Sequence, residues 1–147
     1  MTADHIAGID HVSLPLHDTA AMVVFYRSLG FDVAEQKAIV SVYAGEQMIN
    51  FHRPEVWPRA GFTLRAPAAI PPCGDLCFVW NGDEDMLRTR LKEVGAEIEE
   101  GPVERVGARK QAATSVYVRD PDGNLLEFMI YGDSTAASVD RPGSTTV

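Results

Sequence analysis

One order of elements occurs twice along this chain, and that repeat limits its fold more than any other feature. In the first half IAGIDHVSLPL (residues 6–16) alternates as a strand does, and DTAAMVVFYRSLG follows with helical spacing. Asp18 stands where a helix N-cap belongs and Gly30 where a helix stops. Between them Met22, Phe25, Tyr26 and Leu29 make an apolar stripe on one face. Three strand-like runs come next, around 31–35, 38–43 and 47–53, with a turn signal at Ala44-Gly45. After residues 54–73 the order begins again. GDLCFVW reads as a strand, and DEDMLRTRLKEVG as a helix with Leu87, Leu91 and Val94 on one face. Strands at AEIEE, QAATSVYV and LLEFMIY follow. The helix-Gly-strand junctions SLGFDV and EVGAEI correspond. Two βαβββ modules, about 6–53 and 74–131, predict an α+β fold: tandem modules forming a curled mixed sheet with the helices on its outer face.

The remaining segments are irregular. Residues 54–73 carry five prolines and no clean period, and Trp57 and Phe62 mark them as a partly packed connecting loop. Asp-Pro-Asp-Gly at 120–123 suits a tight turn, so the last two strands are expected to form a hairpin. The Ser/Thr/Gly/Pro-rich stretch 132–147 reads as a flexible tail.

Composition narrows the class of partner. A length of 147 residues suits one domain with a real core, and the formal net charge of −8 argues against nucleic acid. No apolar run is long enough to cross a bilayer, and the N-terminal MTADHIAGID lacks the pattern of a signal peptide. The expectation is a cytoplasmic protein without membrane contact. The two cysteines, Cys73 and Cys77, are too few for a disulfide framework. The one basic cluster, Arg105, Arg109 and Lys110, reads as a Gly-containing loop. It is either simply solvated or a rim that attracts an anionic or phenolate substrate.

Glu127 is the anomaly that points to chemistry. It lies in LLEFMI, among Leu125, Leu126, Phe128, Met129 and Ile130, where an ionised carboxylate needs a cation or a metal. Arg53 and Arg119 are the candidate arginine partners. Strand parity offers the other explanation. In the first strand Val12 and Leu14 leave His11 on the opposite face, and around residue 50 Ile49 and Phe51 leave Asn50 and His52 there. In GDLCFVW the apolar set Leu76, Phe78 and Trp80 leaves Asp75 and Cys77 opposite, and Leu126, Phe128 and Ile130 do the same for Glu127. Four strands thus each place one donor away from the helices: His11, His52, Asp75 and Glu127. They are read as occupying corresponding places in the two modules. Imidazole and carboxylate together suit a divalent transition metal.

The segments IDHVSLPLHDTAAMVVFYRSLGF, INFHRP, GDLCFVW, GPVERVGA and SVYVRDPDGNLLEFMIY resemble the vicinal oxygen chelate superfamily. That group includes glyoxalase I, extradiol ring-cleaving dioxygenases, fosfomycin-resistance enzymes and bleomycin-binding proteins. RDPDGNLLEF is typical of it, though it marks the fold more than the reaction. INFH, DLCF and GPVER look most like a small single-domain branch of glyoxalase-domain or dioxygenase-related proteins. The resemblance covers roughly 8–131, and implies one such domain over residues 1–131. It implies metal ligands at His11, His52 and Glu127. Asp75, standing where the superfamily usually has histidine, is a fourth ligand, a base or a bystander.

Without Asp75 the set is two histidines and one carboxylate, which suits non-haem Fe(II) with positions open for substrate and O₂. The first expectation is therefore an Fe(II) oxygenase or dioxygenase. Its substrate would be catechol-like or polyphenolic, chelating the metal through adjacent oxygens. Asp75 and Tyr117 (or Tyr43) are candidate acid/base groups, because His5 and His17 sit near the ends of the first strand. Trp57, Phe62, Cys77 and Arg109 are candidate substrate contacts, with ordinary core packing the competing reading for the aromatics and Cys77. The second expectation is a glyoxalase-type lyase or isomerase using Ni, Zn or Mn, and the third is a metal-free protein that binds an aromatic drug. A homodimer is implied by the resemblance alone.

Overall fold

The computed structural model describes residues 5–132, so most of the tail expected over 132–147 lies outside the described residues. The chain divides into two compact units, with the division falling between Cys73 and Gly74. The first unit holds β1 (His11–Pro15), α1 (Thr19–Leu29), β2 (Asp32–Glu35), β3 (Ile39–Ala44) and β4 (Gln47–His52). The second holds β5 (Asp75–Val79), α2 (Glu84–Glu93), β6 (Glu100–Val106), β7 (Ala112–Arg119) and β8 (Leu125–Ile130). Each unit closes its own four-stranded sheet, in the orders β1-β4-β3-β2 and β5-β8-β7-β6. The first and last strand of each unit pair in parallel, and the other pairs are antiparallel. This is the α+β arrangement of two tandem βαβββ modules.

The helices begin and end where their sequence says they should. Asp18 Oδ1 accepts a hydrogen bond from Ala21 N at 3.1 Å, and Gly30 closes α1 in the left-handed region at φ 111°. Met22, Val23, Phe25, Tyr26 and Leu29 are buried, as are Val40, Val42, Ile49 and Phe51 of the sheet. Tyr26 joins the two layers, its ring centroid 5.8 Å from that of Phe51. In α2 the Asp83 side chain accepts from Met86 N at 2.8 Å. Leu87 and Leu91 are buried as expected, but Val94 is the C-cap and not part of a buried stripe.

Two strands differ from the alternation in the sequence. Residues 6–10 alternate but are exposed and form no strand; β1 starts at His11, opposite Met48 near the start of β4, its one partner among the described residues. AEIEE at 96–100 is likewise mostly outside the ladder. The strand is β6, running on through Pro102 to Val106, so Arg105 lies on a strand and not in the expected loop. Pro102 is tolerated because β6 is an edge strand whose register slips between Glu100 and Val103. At Gly101, with φ 108°, a Cβ would fall 2.5 Å from the Ser115 carbonyl oxygen, so the crossing backbones require glycine.

The turn between β7 and β8 is built on one buried carboxylate. Asp120, 4% exposed, accepts at Oδ1 from the backbone N–H groups of Asp122, Gly123 and Asn124 at 3.1, 3.0 and 2.9 Å. Its Oδ2 accepts from the Asn124 amide at 2.8 Å, and Asn124 Oδ1 accepts in turn from Gly74 N at 2.8 Å. Leu125 N donates to the Gly74 carbonyl at 3.0 Å, so the turn also fixes the start of β5. The Asp120→Ala variant strands the Asp122 and Asn124 N–H groups and the Asn124 amide, while Gly123 N keeps the Asp120 carbonyl. Hydrogen bonds to charged groups contribute about 1.5–3 kcal/mol each and are not additive, so a loss of ~3 kcal/mol or more is expected. Urea unfolding would read it as a lower midpoint at constant slope; an unchanged midpoint would mean that the turn does not depend on this carboxylate.

Candidate functional site

Strand pairing carries the candidate residues, and the registers define levels across each sheet. In the first unit His11 lies opposite Met48, Ser13 opposite Asn50, and Pro15 opposite His52. In the second Asp75 lies opposite Leu125, and Cys77 opposite Glu127. His11 and Asp75 thus hold corresponding places, each opening the first strand of its module. Glu127 does not correspond to His52. Its counterpart by register is Asn50, and His52 sits one step further along the same face. This corrects the expected four-fold correspondence, because parity sets the face of a side chain but only pairing sets its level.

Within the first unit, His11 and His52 are four residues apart in register, about 13 Å along the strand. The level between them is polar. Ser41 Oγ donates to Asn50 Oδ1 at 2.7 Å and accepts from the Gln36 amide at 3.2 Å. His11 Nδ1 lies 2.7 Å from Asp10 Oδ1, so Nδ1 carries the proton and Nε2 presents the lone pair. The ring of His52 meets that of Phe62 edge to face at 4.9 Å. Burial first, and then the charge of Arg65, lower the His52 pKa, which keeps this imidazole neutral near pH 7.

In the second unit Glu127 is half-buried, and Ser115, fully buried, donates to its Oε2 at 2.5 Å. Arg53 and Arg119 are engaged elsewhere. Arg53 bonds the Gln36 carbonyl at 2.8 Å and Glu35 at 3.4 Å, and Arg119 bonds Glu99 at 2.8 and 3.2 Å. The thiol of Cys77 is pushed up to about 12. Desolvation by the surrounding protein is the largest cause, followed by the charge of Glu127, a hydrogen bond to that carboxylate, and the charge of Asp75. Solvent reaches Cys77, so its resistance to ionisation comes from its carboxylate neighbours as well as from enclosure.

The candidate substrate contacts fall in separate places. Tyr117 lies beside Glu127 in register, and its hydroxyl accepts from Arg105 Nε at 3.0 Å while the guanidinium covers its ring at 5.6 Å. Arg109 stacks over Tyr131 at 4.5 Å. Arg105 and Arg109 therefore each cover a different tyrosine and do not form one basic loop. Trp57 ties the connecting loop to the end of β1 by donating to the Leu16 carbonyl at 2.8 Å. Asp75 is exposed at the start of β5.

Within either module, among the described residues, no three His, Cys, Asp or Glu side chains are gathered as a ready-made cluster. Each module nevertheless offers a donor of a type that suits a divalent ion: in the first an imidazole held at Nδ1 by a carboxylate, in the second a carboxylate held at one oxygen by a buried hydroxyl. Ser115, Asp10 and Arg65 were not identified from the sequence, and Asn50 was placed on this face without a role. A serine alone in an apolar strand was the available signal for Ser115.

A model of the Glyoxalase/Bleomycin resistance protein/Dioxygenase superfamily matches residues 8–128. Virulence protein STM3117 of Salmonella typhimurium is 36% identical over 128 residues, which is 84% of this chain and 83% of that protein. Its crystal structure matches with a TM-score of 0.73, covering 89% of this chain and 99% of that one. An integron cassette protein from the mobile metagenome of V. cholerae, VCH_CASS1, has a TM-score of 0.77 at 32% identity, covering 89% of this chain and 100% of its own. A lactoylglutathione lyase from Agrobacterium tumefaciens has a TM-score of 0.65 at 25% identity, covering 86% and 96% respectively. With its two βαβββ modules and its RDPDGN turn, the chain belongs to the glyoxalase/bleomycin resistance protein/dioxygenase superfamily.

Proposed function

We propose that the protein is a metal-dependent enzyme, an Fe(II) oxygenase acting on a catechol-like or polyphenolic substrate chelated through adjacent oxygens. The ligands we propose are drawn from His11, Glu127 and Asp75, the last as ligand or base; His52, about 13 Å along the strand from His11, is not counted among them. The observation that carries this reading is Glu127, a half-buried carboxylate on the face away from the apolar set, aimed by Ser115 and not neutralised by Arg53 or Arg119. A bound divalent ion would supply Lewis acidity toward two adjacent substrate oxygens and a route for electrons to O₂.

The chain's own residues prepare that chemistry. Asp10 holds the His11 proton on Nδ1 and leaves Nε2 to donate. Burial and Arg65 keep His52 neutral beside the connecting loop. Ser115 fixes Glu127 Oε2 and so sets the direction of the carboxylate. Arg105 donates to Tyr117 Oη, so the phenol's own proton is available to a substrate oxygen. Homodimerisation and a cytoplasmic location accompany this proposal. A second reading, a lyase or isomerase using Ni, Zn or Mn, draws support from the likeness to the lactoylglutathione lyase.

Metal analysis with an oxygen electrode and a catechol panel separates the two. Stoichiometric iron and catechol-dependent O₂ uptake are expected, with Glu127→Gln lowering uptake about a hundredfold or more through loss of a ligand. Nickel or zinc without uptake would favour the lyase. No stoichiometric metal, together with an unaltered His11→Ala variant, would sink both enzyme readings and leave an aromatic-binding protein. His52→Ala is expected to keep metal where His11→Ala loses it, because His52 lies about 13 Å along the strand from His11; loss of metal in both variants would overturn that assignment.

The pairing of Cys77 with Glu127 gives a check that needs no turnover. Glu127→Gln removes a negative charge that holds the Cys77 thiol up, so its pKa must fall. Iodoacetamide at pH 8 to 9 should then label Cys77 faster than in the unaltered protein, with Cys73 as an internal reference. Equal rates would show that the two side chains do not meet in solution.

A further inference from the structure

We propose that the connecting loop 54–73 forms a binding site of its own for a small aromatic anion, one or two rings bearing a carboxylate or phenolate. It deepens the proposed function by naming the charge of the substrate and where its ring rests, and it does not require the metal. A groove of about 490 Å³ opens in this loop, lined by Trp57, Arg59, Phe62 and Arg65 together with prolines and Ile70. That volume lies within the roughly 300–1,000 Å³ of small-molecule sites.

The groove is built and not incidental. Trp57 is locked by its bond to the Leu16 carbonyl, and the Arg65 guanidinium lies over its ring at 5.4 Å. Arg65 is itself held by the carbonyls of Pro67 and Ala69, so the cation needs little ordering when a ligand arrives. Phe62 is fixed edge-on against His52, which places the groove beside that imidazole. Ile70 is 62% exposed at the rim, an apolar surface that a ring would cover.

Charge selects the ligand. Two arginines line the groove and no aspartate or glutamate does, although the protein carries a net charge of −8. An anion is therefore drawn to this spot and repelled by most of the remaining surface. Trp57 and Phe62 offer aromatic contact, and the guanidiniums offer charge-assisted hydrogen bonds to a carboxylate or phenolate. A neutral ring of equal size gains only the first of these.

Isothermal titration in EDTA with 2-naphthoate, against its neutral isostere 2-naphthamide, tests this. The anion is expected to bind about tenfold tighter, the size of one charged hydrogen bond. Arg65→Met should bring the two ligands to within about twofold of each other on the same grounds, with Arg59→Met having the lesser effect. In the unaltered protein, 2-naphthoate should shift the indole N–H resonance of Trp57 and leave that of Trp80 in place, whichever variants fold. Equal affinity for both ligands, or a shift at Trp80 alone, would overturn the proposal. Binding that appears only after Fe(II) is added would assign the ligand to the metal and overturn the loop site while upholding the enzyme. Binding in EDTA without any oxygen uptake would uphold the loop site and count against the oxygenase.

Discussion

A single carboxylate, Asp120, fixes the geometry on which the second module's chemistry rests. It accepts from three successive backbone N–H groups and from the Asn124 amide, and Asn124 passes the constraint to Gly74 at the head of β5. A turn with this many buried donors has one satisfied arrangement, since each unpaired group in the interior is costly. That arrangement sets where β8 starts against both β7 and β5. Because side chains alternate, a slip of one residue would turn Glu127 into the apolar interior and bring Leu126 out. The motif that identifies the superfamily and the placement of its carboxylate are therefore one physical fact.

The same logic explains why each module keeps a polar pair on the face away from its apolar layer. Ser41 with Asn50 and Ser115 with Glu127 are buried or half-buried hydroxyl–acceptor pairs on adjacent strands. In the first module the acceptor is a neutral amide, fully content with the serine. In the second it is a carboxylate, with the Cys77 thiol and the charge of Arg105 also close to it. The two modules thus share a scaffold and differ in charge at the matching level. Cys77 registers that difference, since desolvation first and then the charge of Glu127 push its thiol far above the usual range.

The fold was legible in the sequence because its signals are local. Asp18, Gly30 and Asp83 act within a few residues of themselves, and strand parity needs only the next residue but one. What was not legible depends on partners. Residues 6–10 and 96–99 alternate as well as any strand, yet a strand extends only as far as its neighbour does. The face of His52 was readable and its level was not, so it was matched with Glu127 when the register matches Asn50 there. Arg105 was misplaced for a related reason: nothing in GPVERVGA announces that the edge strand continues past a proline.

Residues 54–73 show how much can hide in a stretch without a period. Prolines remove backbone donors and limit the conformations of the free chain, so fewer contacts suffice to order the segment. Trp57 supplies one such contact by reaching back to Leu16, and Arg65 supplies another by stacking on Trp57 and bonding the loop's own carbonyls. Those interactions also bring a cation to the side of His52, which is why that imidazole is held neutral by charge as well as by burial. A loop that both shapes a groove and biases the protonation of the neighbouring strand is more than a connection.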